Sequence, residues 1–509
     1  ASRKTSVIFY QMFRLLLKVT DHGPTGSPLM KRPKILLLKS RSVVSKVTGS
    51  TPPLGLLYIA AALRERLGAE VRVLDAMLES DPLKALASYL KSFGPDIVGI
   101  SALTAEAFLA HKAAATVKTT APSLPVIMGG PHPSSDPEIV LSDANVDAAV
   151  IGEGEDTMTE LVRLILSEGP HWKKPDLLIS VDGLAFRAEG KTVLSKPRAP
   201  IQDLDSLPLP AWDLIDYKKF WTGVSMATPG IRPYLTMFTS RGCPYKCIYC
   251  HQLFGKSFRS RSPESVVEET ARLMKMGARD IEILDDIANF NPRRFNRMLE
   301  LMLEQNLHPA LSFPNAIRAD IMKEESVDLL KRVGTGEISV AIETASARLQ
   351  KLSGKDLSLE KADHTIGLLA DRRIFTRGFF MLGFPTETEE EMIATIRFAH
   401  ASRLHLALFF TPNPFRNTGL YDLFVNAGKL PSLSSTIDYE YYGAPFNGSE
   451  VSDTRYRMLY RWAYYGFYFN PMRVWRIAHD RPSLADIPVR VWNLLHNVAS
   501  FRRLREESS

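Results

Sequence analysis

The chain has 509 residues and a formal net charge of +7, with 45% apolar and 23% charged residues. This length allows two to four domains, and the composition is that of a globular protein. Spread over such a length, the positive charge is too small to indicate a nucleic-acid partner. No run of about 20 apolar residues predicts a membrane-spanning helix. Only three cysteines are present, which excludes a disulfide framework, so we expect a reducing, cytoplasmic setting and a metal or redox role for the thiols.

Residues 34–195 alternate short apolar runs with helical patterns. Repeated strand–helix–strand units of this kind predict an α/β domain with a parallel, doubly wound, Rossmann-like sheet. Residues 1–33 are expected to be a leader or an added segment. The predicted strands are Lys34–Lys39, Val71–Leu74, Ile97–Ser101, Val126–Met128 and Ala148–Ile151, and the first predicted helix is Leu54–Leu67.

Three of these predicted strands end in loops of small and polar residues. Because ligands of doubly wound sheets bind at the carboxyl ends of the strands, three such loops in succession predict a preformed pocket. One member, His132, is expected either to line the pocket or to be a structural side chain. The candidate pocket residues are Ser101, Leu103, Thr104, Gly129, Gly130, Pro131, His132, Gly152, Glu153, Gly154 and Glu155.

A second alternating series covers residues 236–425, after a Pro-rich segment at 196–235 that we interpret as an ordered linker. Several βα units in a row predict a full or partial β/α barrel. Ser262 and Pro263 are expected to begin a helix as its N-cap and first residue. The predicted strands are Leu235–Thr239, Ile281–Leu284, Leu311–Phe313, Glu337–Ile342 and Gly378–Leu382.

The three cysteines lie on one loop after the first strand of this series. Cys243, Cys247 and Cys250 have the spacing C-x3-C-x2-C. Three thiolates at this spacing suit three irons of a [4Fe-4S] cube and leave one iron open to a further ligand. A structural zinc site with His251 as the fourth ligand is the alternative.

Residues 426–509 depart from the alternating pattern and predict a mainly helical region that closes a substrate cavity. Tyrosines, tryptophan and arginines crowd into one stretch near residues 455–468. The simplest interpretation is an aromatic helix that packs on the barrel. A substrate wall or a surface for peripheral membrane contact is the alternative.

The cysteine loop and the strands around it closely resemble the radical S-adenosylmethionine (SAM) superfamily over residues 235–425. The resemblance implies that the open iron holds the amino and carboxylate groups of SAM, and that SAM is cleaved to a 5′-deoxyadenosyl radical. It also implies contacts to SAM from an aromatic residue beside the last cysteine and from polar or glycine residues at the strand ends. These residues are Tyr249, Asp285, Asp286, Arg318, Glu343 and Gly383.

The amino-terminal domain resembles the cobalamin-binding domain of methionine synthase and of class B radical SAM enzymes. Ser101, Leu103, Thr104 and the paired glycines Gly129 and Gly130 match that domain in order and approximate spacing. The usual Asp-x-His-x-x-Gly loop, which supplies the lower axial histidine, is missing after Lys39. The radical SAM branch commonly lacks it, so the resemblance still implies cobalamin as a cofactor while leaving its lower face undefined.

Together the two resemblances imply a cobalamin-dependent radical SAM enzyme, most simply a C-methyltransferase that uses methylcobalamin and a 5′-deoxyadenosyl radical. An oxidase or cyclase with the same cofactors is the rival activity, and a non-catalytic cobalamin-binding protein is the alternative of another class. We expect a small-molecule, lipid, tetrapyrrole or peptide substrate. Flavodoxin or ferredoxin is expected to donate the electron. No nucleic-acid partner is expected, and no residue can be assigned to catalysis.

Overall fold

A computed structural model describes residues 32–42, 51–223, 225–227, 232–251, 253–430 and 447–480. Three predicted segments lie wholly or partly outside the described residues. They are most of the predicted leader, residues 43–50 of the loop after the first strand, and residues 431–446 and 481–509 of the predicted helical region. The boundaries of the predicted domains stay a prediction. Among the described residues, no helix has the length and apolar content that crossing a membrane requires.

The amino-terminal part forms a sheet in the order β2-β1-β3-β4-β5-β6-β7. Its first five strands are parallel, which confirms the predicted doubly wound core, and β6 and β7 add an antiparallel hairpin that was not predicted. The strands are β1 (Lys34–Lys39), β2 (Glu70–Asp75), β3 (Ile97–Ser101), β4 (Val126–Gly129), β5 (Ala148–Val150), β6 (Leu184–Ala188) and β7 (Lys191–Leu194).

Helices cover both faces of this sheet, and local signals explain where they begin and end. The second helix, for example, begins after Asp81, which accepts a hydrogen bond from the Lys84 backbone N–H at 3.1 Å, and ends at Gly94 in the left-handed region. The helices are α1 (Leu54–Leu67), α2 (Pro82–Phe93), α3 (Ala107–Thr120), α4 (Pro131–Ser135), α5 (Pro137–Ser142), α6 (Gly154–Glu168) and α7 (Pro175–Leu178).

The second part is an open parallel sheet in the order β15-β14-β13-β12-β11-β8, which confirms the predicted partial barrel. Its last strand was not predicted. A short antiparallel pair, β9 and β10, flanks the cysteine loop. The strands are β8 (Tyr234–Met237), β9 (Ser240–Arg241), β10 (Arg259–Ser260), β11 (Asp280–Ile283), β12 (Ala310–Ile317), β13 (Glu337–Glu343), β14 (Phe375–Met381) and β15 (Leu406–Phe410).

Helices separate the barrel strands and continue beyond them. Ser262 accepts a hydrogen bond from the Ser265 backbone N–H at 3.2 Å, so the predicted N-cap is confirmed. The helices are α8 (Pro263–Lys275), α9 (Pro292–Glu304), α10 (Glu324–Val333), α11 (Ala347–Leu352), α12 (Leu359–Asp371), α13 (Glu389–Ala401), α14 (Gly419–Asn426), α15 (Asp453–Tyr468) and α16 (Pro471–His479).

The two sheets share one apolar core. A single cluster of buried side chains includes Leu57 and Leu161, from helices on one face of the first sheet, and Leu235 and Ile281 from the barrel strands. The other face of the first sheet has a separate core under α2 and α3. A continuous core resists relative motion of the two parts, so the loops at the carboxyl ends of their strands keep a fixed relationship.

Candidate functional site

The cysteine loop begins where β8 and β11 end together. Asp285 is 2% exposed, and its carboxylate accepts hydrogen bonds from the Thr239 backbone N–H at 2.7 Å and from the Thr239 and Ser240 hydroxyls at 2.5 Å each. These bonds use both carboxylate oxygens. Asp285 therefore fixes the strand end that leads into the cysteine loop, and its contact with SAM stays a prediction.

Gly242 forms the turn immediately before the first cysteine. Its φ is +81°, and a Cβ here would lie 2.3 Å from the Ser257 carbonyl oxygen, so only glycine fits. Its N–H donates to Asp286 at 3.0 Å. Burial, reinforced by the neighbouring Asp285 charge, raises the pKa of Asp286 to about 6. Asp286 therefore lies beside the loop, as predicted, and its contact with SAM stays a prediction.

The pKa values of the three thiols of the loop are shifted in different directions. A hydrogen bond with Cys250 lowers the pKa of the Cys247 thiol to about 6, with the Lys355 ammonium acting in the same direction and burial in the opposite one. The same bond raises the pKa of Cys250. Burial raises the pKa of Cys243. Three thiols on one loop, one of them already biased toward the thiolate, fit the donor set of a [4Fe-4S] cluster.

His251, the fourth ligand of the zinc alternative, lies at the contact between the cysteine loop and the amino-terminal part. His251 Nδ1 is hydrogen-bonded to Ser135 Oγ at 2.7 Å, and its ring packs against Phe415 at 4.4 Å between centroids.

Residues 353–356 form a turn that comes from a distant part of the barrel and contacts the cysteine loop. We call this turn the clamp. The Ile248 N–H donates to the Ser353 carbonyl at 2.9 Å, and the Cys247 thiol lies 3.8 Å from the Gly354 carbonyl. Gly354 has φ +67°, and a Cβ on it would lie 2.5 Å from the Lys246 carbonyl oxygen. The close approach of two backbones therefore requires glycine at this position.

Arg318 holds this clamp in place. Its guanidinium donates to the carbonyls of Lys355 at 2.9 Å and Asp356 at 2.8 Å, pairs with Asp320 at 2.9 Å, and lies 3.8 Å from the centre of the Tyr245 ring. With these partners, the side chain braces the cysteine loop. The contact of Arg318 with the SAM carboxylate stays a prediction.

Lys355 is a site residue that the sequence did not reveal. Its ammonium lies 3.6 Å from Glu343 at the end of β13, and its charge acts on the pKa values of all three cysteines. Burial raises the pKa of Glu343, opposed by Lys355, and Glu343 has a φ of +66°. Tyr249 lies edge-on to Phe384 at 6.4 Å. Tyr249 and Glu343 thus lie beside the cysteines, and their contacts with SAM stay predictions.

The predicted glycine turn follows β14. Gly383 has φ +100°, and its N–H and that of Phe384 donate to Glu387 at 2.6 and 3.0 Å. A Cβ on Gly383 would lie 3.1 Å from the Tyr456 hydroxyl, which itself donates to the Leu382 carbonyl at 3.0 Å. The aromatic helix α15 therefore covers this edge of the barrel. Burial raises the pKa of Glu387 to about 8.

The predicted cobalamin loops meet at the carboxyl edge of the first sheet. Gly130 has φ +96°, and a Cβ on it would lie 3.0 Å from Ser101 Oγ and 3.1 Å from the Ala102 carbonyl oxygen. Leu103 is 37% exposed, whereas Thr104 is buried. Gly129 ends β4 and Pro131 begins α4, so these residues form one small-residue edge, as the sequence predicts.

His132 supplies a test of whether this edge suits cobalamin. It is 1% exposed, neither ring nitrogen has a hydrogen-bond partner, and burial lowers its pKa to about 4. Its ring lies edge-on to His111 at 5.9 Å. Buried polar atoms are normally satisfied, so two free imidazole nitrogens fit a ligand rich in amide groups, as cobalamin is. A direct contact stays a prediction.

Glu153 and Glu155, also predicted as cobalamin contacts, are used at the boundary between the two parts. Glu155 accepts a hydrogen bond from Arg241 at 2.6 Å, and Glu153 accepts one from Arg241 at 3.2 Å and forms an ion pair with Arg259 at 2.5 Å. All four side chains are buried. Burying such charges is favourable only when they are paired, so the structure assigns these glutamates to an interdomain ion-pair network.

The loops of the two parts are in direct contact near Cys250. Besides the Ser135–His251 hydrogen bond, Arg416 pairs with Asp136 at 3.4 Å, and a Cβ on Gly152 would lie 3.8 Å from the Leu253 carbonyl oxygen. On the opposite side of this loop, a Cβ on Gly154 would lie 2.9 Å from Ile59, which reflects close packing of α6 on α1. The predicted cobalamin edge and the cysteine loop therefore border the same space.

Comparison with known proteins agrees with this arrangement. Residues 40–162 match the family model of the B12 binding domain, and residues 237–399 match that of the radical SAM superfamily. The chain is 32% identical to an uncharacterized methyltransferase of Pyrococcus horikoshii over 87% of this chain and 94% of the relative. It is 30% identical to the cytidylyl-2-hydroxyethylphosphonate methyltransferase of Streptomyces wedmorensis over 76% and 81%.

A third relative and a solved structure complete the comparison. An anaerobic magnesium-protoporphyrin IX monomethyl ester cyclase of Cereibacter sphaeroides is 28% identical over 73% of this chain and 60% of the relative. The radical SAM methyltransferase TsrM of Kitasatospora setae, solved with cobalamin and a [4Fe-4S] cluster, shares the fold with a TM-score of 0.63, at 20% identity over 76% of this chain and 74% of that one. The chain belongs to the cobalamin-dependent radical SAM enzymes, and its cofactors are a [4Fe-4S] cluster, SAM and cobalamin.

Proposed function

We propose that this enzyme transfers a methyl group to an unactivated carbon of a small-molecule substrate. When bound, the cluster and SAM supply a 5′-deoxyadenosyl radical, and cobalamin supplies the methyl group. The observation that carries the proposal is the 2.7 Å hydrogen bond between Ser135 and His251. It joins the helix that follows Gly129 and Gly130 to the residue after Cys250, so the two predicted cofactor loops flank one space.

The protein's own residues hold this space rigid and cover it. The ion pairs of Arg241 fix the first residues of the cysteine loop to the amino-terminal sheet. Tyr456 of α15 lies over the Gly383 turn and closes that edge of the barrel. A reactive carbon radical must be shielded from water and stray hydrogen donors, and a covering helix of this kind supports such a reaction.

The relatives favour methyl transfer over the rival activity. The relatives of Pyrococcus horikoshii and Streptomyces wedmorensis, at 32% and 30% identity, are both named methyltransferases. The cyclase is 28% identical and is matched over only 60% of its length. An oxidase or cyclase that uses the same cofactors is therefore the second candidate, and a single measurement separates the two.

The test is the fate of the SAM methyl group. The enzyme is purified without oxygen, loaded with its cofactors, reduced chemically or by flavodoxin or ferredoxin, and given SAM with a trideuterated methyl group. Methyl transfer predicts deuterium in the protein-bound corrinoid and release of S-adenosylhomocysteine before any substrate is added. With substrate, S-adenosylhomocysteine and 5′-deoxyadenosine then form in comparable amounts.

The rival activity predicts a different fate for the methyl group. Release of 5′-deoxyadenosine alone, with no deuterium in the corrinoid, supports the cyclase or oxidase. The variant Cys247→Ala serves as the control, because it should retain cobalamin and form no 5′-deoxyadenosine. Unchanged activity in this variant would contradict the assignment of the cluster.

A further inference from the structure

Among the described residues, the outer side of helices α15 and α16 carries large apolar side chains that are partly or largely exposed. Met458, Trp462, Tyr465 and Phe469 recur at spacings of four, three and four residues, which places them on one side of α15 and at its end. Their exposed fractions are 53%, 38%, 41% and 78%. Exposed aromatic residues arranged in this way indicate a binding surface.

Helix α16 follows directly in the chain and also carries exposed apolar side chains. Met472 and Trp475 are 66% and 59% exposed, and the Trp475 ring stacks on His479 at 4.8 Å. We call Met458, Trp462, Tyr465, Phe469, Met472 and Trp475 the aromatic face.

Within the aromatic face, Trp462 lies edge-on to His400 of α13 at 5.2 Å, but this is not the side that mainly attaches the helices to the barrel. The opposite side of α15 does this through tyrosine hydroxyls, since Tyr460 donates to the Phe409 carbonyl at 2.5 Å and Tyr468 donates to the Ala407 carbonyl at 2.9 Å. Phe467, on the same inner side, is fully buried. The helix therefore has one face that is packed on β15 and another that is available for a partner.

The charged side chains in the stretch that carries the aromatic face are positive. Residues 454–479 include five arginines and no Asp or Glu. Arg455 pairs with Glu389 at 2.6 Å, and Arg473 donates to the carbonyls of His400 and Ser402. Arg457 and Arg461 are exposed, and no ion pair to either is found within the described ranges. A partner of negative charge would complement this surface.

We propose that the aromatic face, flanked by Arg457 and Arg461, binds the surface of an anionic lipid bilayer. Helices that lie in the plane of a membrane combine Trp and Phe on one side with Arg at the headgroup level. Anionic lipids attract such arginines. A second copy of this chain is a poorer partner, because a twofold interface would bring together two copies of the same positively charged surface.

A bilayer on the aromatic face would lie close to the predicted SAM edge. Tyr456, on the inner side of the same helix, contacts the Gly383 turn. Because a helix with its side chains is about 10–12 Å wide, a bilayer on the aromatic face would lie one helix away from the predicted SAM edge. The inference does not depend on methyl transfer, because binding can be measured without turnover.

The experiment is co-sedimentation of the full-length enzyme with vesicles of phosphatidylcholine containing increasing fractions of phosphatidylglycerol. Bound protein should increase with phosphatidylglycerol and decrease with salt. The double variant Phe469→Ser/Trp475→Ser should bind at least about tenfold more weakly, because two large apolar side chains no longer enter the lipid. Arg457→Gln/Arg461→Gln should weaken binding to the anionic vesicles by about 30-fold.

A matched control removes an exposed apolar residue elsewhere. Leu194→Ser changes a side chain that is 58% exposed at the end of the β6–β7 hairpin and should bind vesicles like the unaltered enzyme. Retained cobalamin absorbance and an unchanged melting temperature verify that each variant is folded. Equal binding by all three variants overturns the proposal. So does self-association that the double variant abolishes while vesicle binding persists, or binding to RNA in preference to vesicles.

Discussion

Arg241 Nη2 donates a hydrogen bond of 2.6 Å to Glu155 Oε1, across the boundary between the two parts and two residues before Cys243. Burial lowers the pKa of Arg241, but the charges of Glu155 and Glu153 outweigh burial and raise it, so the guanidinium is fully charged. Its position is also restrained by the rings of Tyr58 and Phe254, at 5.3 and 5.0 Å. The residue that leads into the cysteine loop is therefore held by ion pairs with the cobalamin-binding domain.

Replacing Arg241 should therefore destabilise the whole molecule. Arg241→Ala leaves Glu153 and Glu155 buried with part of their charge uncompensated, and we expect the free energy of unfolding to decrease by about 3–5 kcal/mol. Denaturant unfolding of the loaded enzyme measures it. The control is Arg64→Ala, which breaks an exposed ion pair with Asp213 and should cost at most about 1 kcal/mol. Equal losses in both variants would contradict the assigned role.

The left-handed backbone of Gly130 provides a second test. Gly130→Ala forces a side chain into the left-handed region and against Ser101 and Ala102, which should cost about 1–2 kcal/mol and weaken cobalamin binding. Gly367→Ala is the control, because Gly367 lies in α12, away from the predicted cobalamin edge, and a Cβ on it would meet no atom within 4 Å. Titration of each variant with cobalamin gives the two affinities. Equal affinities would show that the backbone at Gly130 does not shape the site.

The structure also shows which features the sequence could predict. The bounds of β1, β3 and α1 and the start of α8 at Ser262 and Pro263 agree with the predictions, because periodicity, capping residues and proline act over a few neighbouring positions. The C-x3-C-x2-C loop is equally local. Strand β15 was missed because Leu406–Phe410 is a short apolar run, which periodicity alone does not distinguish from a helix.

Side-chain roles at the strand ends were harder to predict. Asp285 and Arg318 occupy positions where a ligand contact is expected, yet their partners are Thr239, Ser240 and the clamp at residues 353–356. Such partners come together only in the folded chain, so neither spacing nor charge reveals them. Lys355 was missed for the same reason, since it is far from the cysteines in sequence and reaches them through the turn.

Arg318 offers a direct test between the two roles. If it braces the cysteine loop, Arg318→Ala should retain less iron per chain after reconstitution, at least about threefold less under conditions that lose the cluster slowly, because about 1 kcal/mol or more of charge-assisted bonding is removed. If it binds the SAM carboxylate, iron should be unchanged and only SAM affinity should fall. Iron analysis and isothermal titration with SAM distinguish these outcomes, with Cys247→Ser as the reference for cluster loss.

The buried carboxyl group of Glu387 should make stability depend on pH. Burial raises its pKa from 4.5 to about 8, so the folded state retains a proton that the unfolded chain releases. This contribution to stability is complete below about pH 4.5 and is lost as the pH rises through about 8, at about 1 kcal/mol per pH unit. Glu387→Gln keeps an oxygen for the Gly383 and Phe384 N–H groups and should become more stable relative to the unaltered enzyme as the pH rises. Denaturant unfolding between pH 5.5 and 8.5 measures the difference, with the exposed Glu390→Gln as control, and a difference that stays constant with pH would show that Glu387 is ionised throughout.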